Sequence, residues 1–220
     1  MTGDAAHHLG RVLRAEPGQL FELSDGKAAW VARIESVSRD RVDFSLLEPI
    51  ASREPAFQAT LLLSIVKFDS FEWALEKATE LGVHTIVPLA AARSEKALLH
   101  AAEKRSERWK KILLEASQQS RRVAIPVLRS PEKSAAAFSQ AIGFRVLLSE
   151  RAEARPMRTI LPAAVPTQVT LAIGPEGGWT DEEFSSAASA GFQEAAVGNL
   201  ILRTETAVIA ALAGLNYALG

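Results

Sequence analysis

The sequence predicts an α/β protein in which a small β-barrel precedes a larger domain with a largely parallel sheet. Three observations predict it. Residues 9–50 hold short strand-like runs around a tight-turn signal. Beyond residue 55, apolar runs of strand length alternate with helical patterns, the order expected of strand–helix–strand units. Two glycine-bearing segments then each follow a strand and precede a helix, where open α/β sheets bind ligands.

In the first part, Leu20-Phe21-Glu22-Leu23 leads through Ser24-Asp25-Gly26-Lys27 to Ala28–Ile34. Asp-Gly between two such runs is a hairpin signal. From Arg41 to Leu47 the pattern alternates, so that Val42, Phe44 and Leu46 share one face. Glu48 to Pro55 carries two prolines and reads as a linker, which puts the domains at 1–52 and 53–220.

In the second part, Ala59–Val66 reads as a strand buried on both faces. Asp69–Leu81 reads as a helix, with Asp69 and Glu72 at capping-box spacing and Gly82 as the stop. His84–Leu89 is a further strand. Ala101–Gln119 is a helix whose Trp109, Ile112, Leu113 and Ala116 form one buried stripe. Val123–Leu128, Arg145–Leu148 and Val169–Ile173 are short strands. Thr180–Ala190 is a helix with Thr180 and Glu183 as its capping box and Gly191 as its stop. Ala195–Gly198 is a short strand or turn, and Thr204–Leu219 an Ala-rich helix.

The chain has no cysteine, which excludes disulfides, zinc-thiolate sites and a thiolate nucleophile. Its four histidines form no plausible metal set. His7-His8 reads as a terminal surface feature or a turn into the first strand. There is neither a signal-peptide pattern nor an apolar run of membrane-spanning length, so the cytoplasm is the expected compartment. The 25 basic and 26 acidic side chains argue, as a sum, against a nucleic-acid binder. Their distribution argues otherwise: Arg93–Arg129 holds 10 basic and 4 acidic residues, a candidate anion-binding surface or a solvated helix face.

Three segments carry candidate chemistry. In Ile173-Gly174-Pro175-Glu176-Gly177-Gly178-Trp179-Thr180, glycines let a ligand approach the backbone. The spacing is neither that of a P-loop nor of a dinucleotide fingerprint. In Gly198-Asn199-Leu200-Ile201-Leu202-Arg203-Thr204-Glu205, Arg203 and Glu205 follow an apolar stretch, and Thr204 is placed to cap the next helix. The two loops are expected to converge. In Glu115-Ala116-Ser117-Gln118-Gln119-Ser120-Arg121-Arg122, amides, hydroxyls and arginines suit phosphate or base contacts, or the dipole of a helix end. Trp30, Trp73 and Trp109 read as core or interface, whereas Trp179, next to the glycines, is a candidate stacking platform.

These segments resemble the RsmE family of SPOUT-type RNA methyltransferases. The likeness runs from His7-His8-Leu9-Gly10-Arg11-Val12-Leu13-Arg14, through Lys67 and Lys77-Ala78-Thr79-Glu80-Leu81-Gly82-Val83, to Arg93-Ser94 and the segment at 115–122. It ends in the two most specific motifs, GPEGGW at 174–179 and LILRTETA at 200–207. The resemblance implies a PUA-like β-barrel followed by a trefoil-knotted α/β domain. It implies a homodimer that uses S-adenosylmethionine to methylate N3 of one uridine in 16S ribosomal RNA. It places the cofactor among Leu148, Ser149 and Glu150, then Ile173, Gly174, Pro175, Glu176, Gly177 and Gly178, then Val197, Gly198, Leu200, Ile201 and Leu202. RNA contacts are expected at Arg11, Arg14, Arg93, Gln119, Arg121 and Arg122, and no metal is expected. Only Met1–Ala6 precede the histidines, where the family has a basic strand. The barrel is therefore expected to lack its first strand, or the chain to be truncated. Asn199 departs from the family's usual residue and is given no catalytic role.

Carbon-5 methylation of a pyrimidine commonly needs a cysteine, and this chain has none. Attack by N3 needs only proton loss and alignment with the methyl group. Arg203 is expected to stabilise the uridine anion or grip a phosphate, and Glu205 to orient Arg203 or accept the proton. The alternative is a non-catalytic RNA-binding or ribosome-assembly factor on the same scaffold.

Overall fold

The first hairpin is set by Asp25. Its Oδ1 accepts from the Lys27 and Ala28 amides at 2.8 and 2.9 Å, closing the turn between β1 (Leu20–Ser24) and β2 (Ala29–Val37). Those two amides hold its carboxyl below the ordinary carboxylate value. In the computed structural model, residues 1–51 and 55–220 are described. They fall into two units, Met1–Glu54 and Pro55–Gly220.

In the first unit β2 pairs antiparallel with both β1 and β3 (Val42–Ile50), giving the order β1-β2-β3. Register shifts at Val31/Ala32 and Ile34/Ser36 mark bulges that bend the ribbon. Thr2 bridges Arg41. His7 and His8 sit in a short helix, Asp4–His7, that widens to a π turn over His8–Val12. Both are exposed. Ala6, Leu9, Ala15, Ile34 and Val42 make the core. Phe44 packs against it as expected, but Leu46 is 56 % exposed. Part of the expected linker is strand instead: Glu48, Pro49 and Ile50 pair with Val31, Trp30 and Ala29 on the outer strand, where a proline is tolerated. The expected boundary between residues 52 and 53 lies outside the described residues.

The second unit is built on an all-parallel sheet. Its strands are β4 (Gln58–Ser64), β5 (Thr85–Ala90), β6 (Val127–Leu128), β7 (Glu132–Lys133), β8 (Phe144–Leu148), β9 (Arg155–Pro156), β10 (Gln168–Ile173) and β11 (Gln193–Ala196). The order is β6-β5-β4-β10-β8-β11-β9, with β7 also on β5. The helices are α1 (Phe68–Glu80), α2 (Lys96–Ala102), α3 (Ser106–Gln119), α4 (Ser134–Ser139), α5 (Asp181–Ser189) and α6 (Thr204–Leu219). Alternation along β4 shows why its run is apolar throughout. Leu61 and Leu63 join a core with Phe71, Trp109, Leu113 and Leu212, while Leu62 joins a second one with Phe138, Trp179 and Phe192. Helices α1, α3 and α6 therefore cover one face, and α4 and α5 the other.

Several local expectations are corrected. The helix expected over 101–119 is two helices, α2 and α3, joined by a 3₁₀ turn at Glu103–Arg105. Arg105, in that turn, and Arg108, in α3, meet on Glu72, at 3.0 and 2.8 Å. Glu72 is thus engaged with two cations and does not reach back to cap α1. The cap residue is Lys67, without a side-chain bond, because the helix begins one residue before Asp69. The stop holds: Val83 and Gly82 amides donate to the Ala78 and Thr79 carbonyls in a Schellman arrangement. Only Val127–Leu128 of the strand expected over 123–128 pairs, since Pro126 has no amide to give. The capping box of α5 forms as expected, with Thr180 and Glu183 bonding each other's backbone amides.

Candidate functional site

Strands β8, β10 and β11 are direct neighbours in one parallel sheet, β8 lying between the other two. Their carboxyl ends therefore open at the same edge. Three contacts tie the loops that leave them. The buried Trp179 indole donates Nε1–H to the Leu148 carbonyl at 2.9 Å, joining the β10 loop to the β8 loop. The Thr204 hydroxyl donates to the Gly174 carbonyl at 3.0 Å, joining the β11 loop to the β10 loop. The Ser149 amide donates to the Ala195 carbonyl at 2.9 Å, joining the β8 loop to β11.

Gly174 is required by the first of these. A Cβ there would stand 3.1 Å from the Trp179 ring, which is held by its hydrogen bond and by an edge-on contact with Phe138. Gly178 is required for another reason: its φ of +69° is a backbone conformation that side chains disfavour.

The loops enclose a cavity of about 920 Å³. Positions 148–150, 173–178, 197–198 and 200–202, the whole expected cofactor set, line it. Leu200 and Ile201 are 81 % and 83 % exposed at this wall, and Tyr217, on the same wall, 94 %. Among the described residues, the backbone amides of Leu200, Ile201 and Leu202 donate to no protein group.

Other expected residues are placed differently. Arg203 is exposed and Glu205 only 7 % so, and neither lines the cavity. They form no ion pair with each other among the described residues, so Glu205 does not orient Arg203. Glu205 lies in the first turn of α6, where free amides favour a carboxylate. Thr204 does not cap that helix: Arg203 is the cap residue and the hydroxyl is spent on Gly174. Trp179, buried beneath the loops, is no stacking platform.

The expected RNA residues divide in the same way. Arg11, Arg14, Arg93, Gln119 and Arg121 are exposed. Arg122 is half-buried and donates to the Thr79 and Ala124 carbonyls, closing the end of α1; burial lowers its pKa. Arg93 donates to the Gly177 carbonyl at 2.7 Å. Within the basic segment Arg105, Arg108 and Arg129 also serve internal carboxylates. Sequence reading missed Arg151, Arg158 and Tyr217, which line the cavity from outside the glycine motifs. Arg151 and Arg158, two cations seven residues apart just after β8, were the available signal for a basic cavity rim.

Among the described residues no cluster of three or more His, Asp or Glu could hold a metal ion. Among them too, no helix is long and apolar enough to cross a membrane.

Comparison with known proteins gives this edge of the sheet its context. The RNA methyltransferase domain family matches residues 52–216, and the RNA methyltransferase PUA domain family matches residues 1–47. The ribosomal RNA small subunit methyltransferase E of Synechocystis sp. is 33 % identical over 98 % of this chain and 72 % of its own. The chain belongs to the ribosomal RNA small subunit methyltransferase E family. A methyltransferase E from Neisseria gonorrhoeae, bound to S-adenosylmethionine, superposes with a TM-score of 0.91 at 31 % identity, covering 100 % of this chain and 91 % of the other. A Legionella pneumophila protein solved with the same cofactor gives 0.88 at 33 % identity, over 99 % and 90 % of the two chains. Membership of the methyltransferase E family assigns the parallel sheet to the methyltransferase fold and the antiparallel sheet to the PUA domain.

Proposed function

We propose that this chain transfers the methyl group of S-adenosylmethionine to N3 of a uridine in 16S ribosomal RNA. The observation that carries the reading is the single cavity formed where the β8, β10 and β11 loops are tied by Trp179 and Thr204. The residues fit the cofactor. Unpaired amides at Leu200–Leu202 offer donors to a purine edge, and Leu148, Ile173 and Leu202 offer apolar walls. The cofactor supplies an electrophilic methyl on a positively charged sulfur.

The protein's share is alignment and charge. Uridine N3 must lose its proton before it attacks, and a cation beside the ring stabilises the anion that results. Arg203, exposed and free of any described ion pair, takes that role or grips a phosphate. Glu205, buried in the first turn of α6 and outside the cavity lining, has no direct contact with the uridine in this reading. The absence of cysteine fits attack by a ring nitrogen.

The reading extends to the assembly. The exposed Leu200, Ile201 and Tyr217 at the cavity wall support a homodimer in which a second copy covers that rim. The sheet order, with β10 between β4 and β8, supports a knotted C-terminal segment. Arg11, Arg14, Gln119 and Arg121 are the RNA contacts of this reading. The domains are 1–52 for RNA and 53–220 for transfer, and the compartment is the cytoplasm, where ribosomal RNA is modified.

Calorimetry with S-adenosylmethionine followed by mass analysis of methylated 16S RNA tests it. Binding together with one new methyl on uridine N3 is the expected outcome. RNA binding without cofactor binding would favour the assembly-factor reading instead.

A further inference from the structure

Glu183 is buried and collects donors from three segments. Its carboxylate accepts from the Ala92 amide at 2.9 Å, the Ser134 hydroxyl at 2.7 Å and the Thr180 amide at 3.0 Å. The first of these holds the loop after β5 against the start of α5. The next residue along that loop is Arg93. Its Nη1 donates to the Gly177 carbonyl at 2.7 Å, and its aliphatic stem packs on Gly177. A Cβ added at Gly177 would meet the Arg93 Cβ at 3.3 Å and Cδ at 3.4 Å. The absence of a side chain at 177 is therefore explained by Arg93.

The peptide between Gly177 and Gly178 is held from both sides. Arg93 binds its carbonyl, and its amide donates to the Pro175 carbonyl at 2.9 Å. Both glycines line the cavity. A charge-assisted hydrogen bond is the strongest kind available for fixing such a plane.

We infer that Arg93 is a positioning residue for the glycine loop of the cofactor cavity, carried into place by Glu183, and is not an RNA contact. The inference rests on the proposed cofactor reading, but one of its tests does not. In the cofactor-free protein, hydrogen exchange of the Gly178 amide reports the locked peptide directly. It should speed up at least tenfold in Arg93→Ala and in Glu183→Gln. Unchanged exchange in both variants would overturn the inference whatever the protein binds.

In the presence of S-adenosylmethionine, Arg93→Ala should raise the cofactor Kd and KM about tenfold with a smaller change in kcat. That factor corresponds to the lower end for a hydrogen bond to a charged group. Arg93→Lys, which restores a charged donor, should recover most of the loss. The salt dependence of RNA affinity should stay as in the wild type. An unaltered cofactor Kd, with a salt slope smaller by about one, would make Arg93 a phosphate contact and refute the inference. If the wild type itself binds no cofactor, the functional reading fails while the exchange result still judges Arg93.

Discussion

Thr204→Val is the sharpest single test of how the cavity is assembled. Valine keeps the shape of threonine and removes only the hydroxyl. Thr204 is buried, and its Oγ1 donates to the Gly174 carbonyl at 3.0 Å, the described bond between the β11 and β10 loops. Deleting the donor leaves an acceptor in need of a partner, which costs about 1–3 kcal/mol when no water reaches it. Gly174 is half-buried and lines the cavity, so water can partly replace the hydroxyl. The lower end, about 1 kcal/mol, is therefore expected. With a urea slope of about 2 kcal/mol/M, the unfolding midpoint should fall by about 0.5 M. Cofactor affinity should fall about fivefold as the two loops loosen, and Thr204→Ser should restore both. Isothermal calorimetry and urea unfolding monitored by circular dichroism measure the two effects. A Thr204→Val protein with wild-type affinity and midpoint would refute the argument that this hydroxyl couples the loops.

Gly174→Ala should weaken cofactor binding about tenfold or more, because the new methyl presses on a tryptophan held on two sides; calorimetry reads the loss, and an unchanged Kd would contradict it. Glu72→Ala leaves Arg105 and Arg108 without their carboxylate. Since those arginines are 38 % and 64 % exposed, solvent screening limits the cost to about 1–2 kcal/mol, read as a urea midpoint. Asp25 gives a pH test: its carboxyl is held below the ordinary value by the Ala28 and Lys27 amides, so its charge stabilises the hairpin above about pH 4 and the benefit is lost as pH falls through the depressed value. The stability gap between wild type and Asp25→Asn should thus be present at pH 6 and shrink toward pH 2; a gap that widens on acidification would refute the assignment.

Local signals carried most of the architecture. The Asp25-Gly26 turn, the unbroken apolar run of β4 and the Thr180–Glu183 capping box each depend on residues close together in the chain, and each appears where the pattern puts it. The glycine motifs were legible too, because a backbone without side chains at a strand end is a local feature. The misreadings share a different cause. Glu72 matched a capping box by spacing, but its partners lie 33 and 36 residues away. Thr204 matched a helix cap, but its acceptor is 30 residues back. Within the basic segment Arg93–Arg129, read as an RNA surface, several cations also bond carboxylates and carbonyls of the protein itself, partners that spacing along the chain does not reveal.

By itself the sequence determined the two-part organisation, the strand-and-helix order and the two glycine-bearing loops of the cavity, since these follow from periodicity and from residues that break it; the third loop, at 148–150, was implied only by the family resemblance. It also excluded thiolate chemistry, through composition alone. Only the tertiary structure decided what each polar side chain is for. A hydrogen-bond donor or a cation is satisfied by whichever partner the fold brings within about 3 Å, and that partner is as often across the sheet edge as along the chain. Hence Trp179 and Thr204, read from the chain as a stacking platform and a helix cap, are in the folded protein ties on one glycine loop, and Arg93 donates to a carbonyl of the same loop.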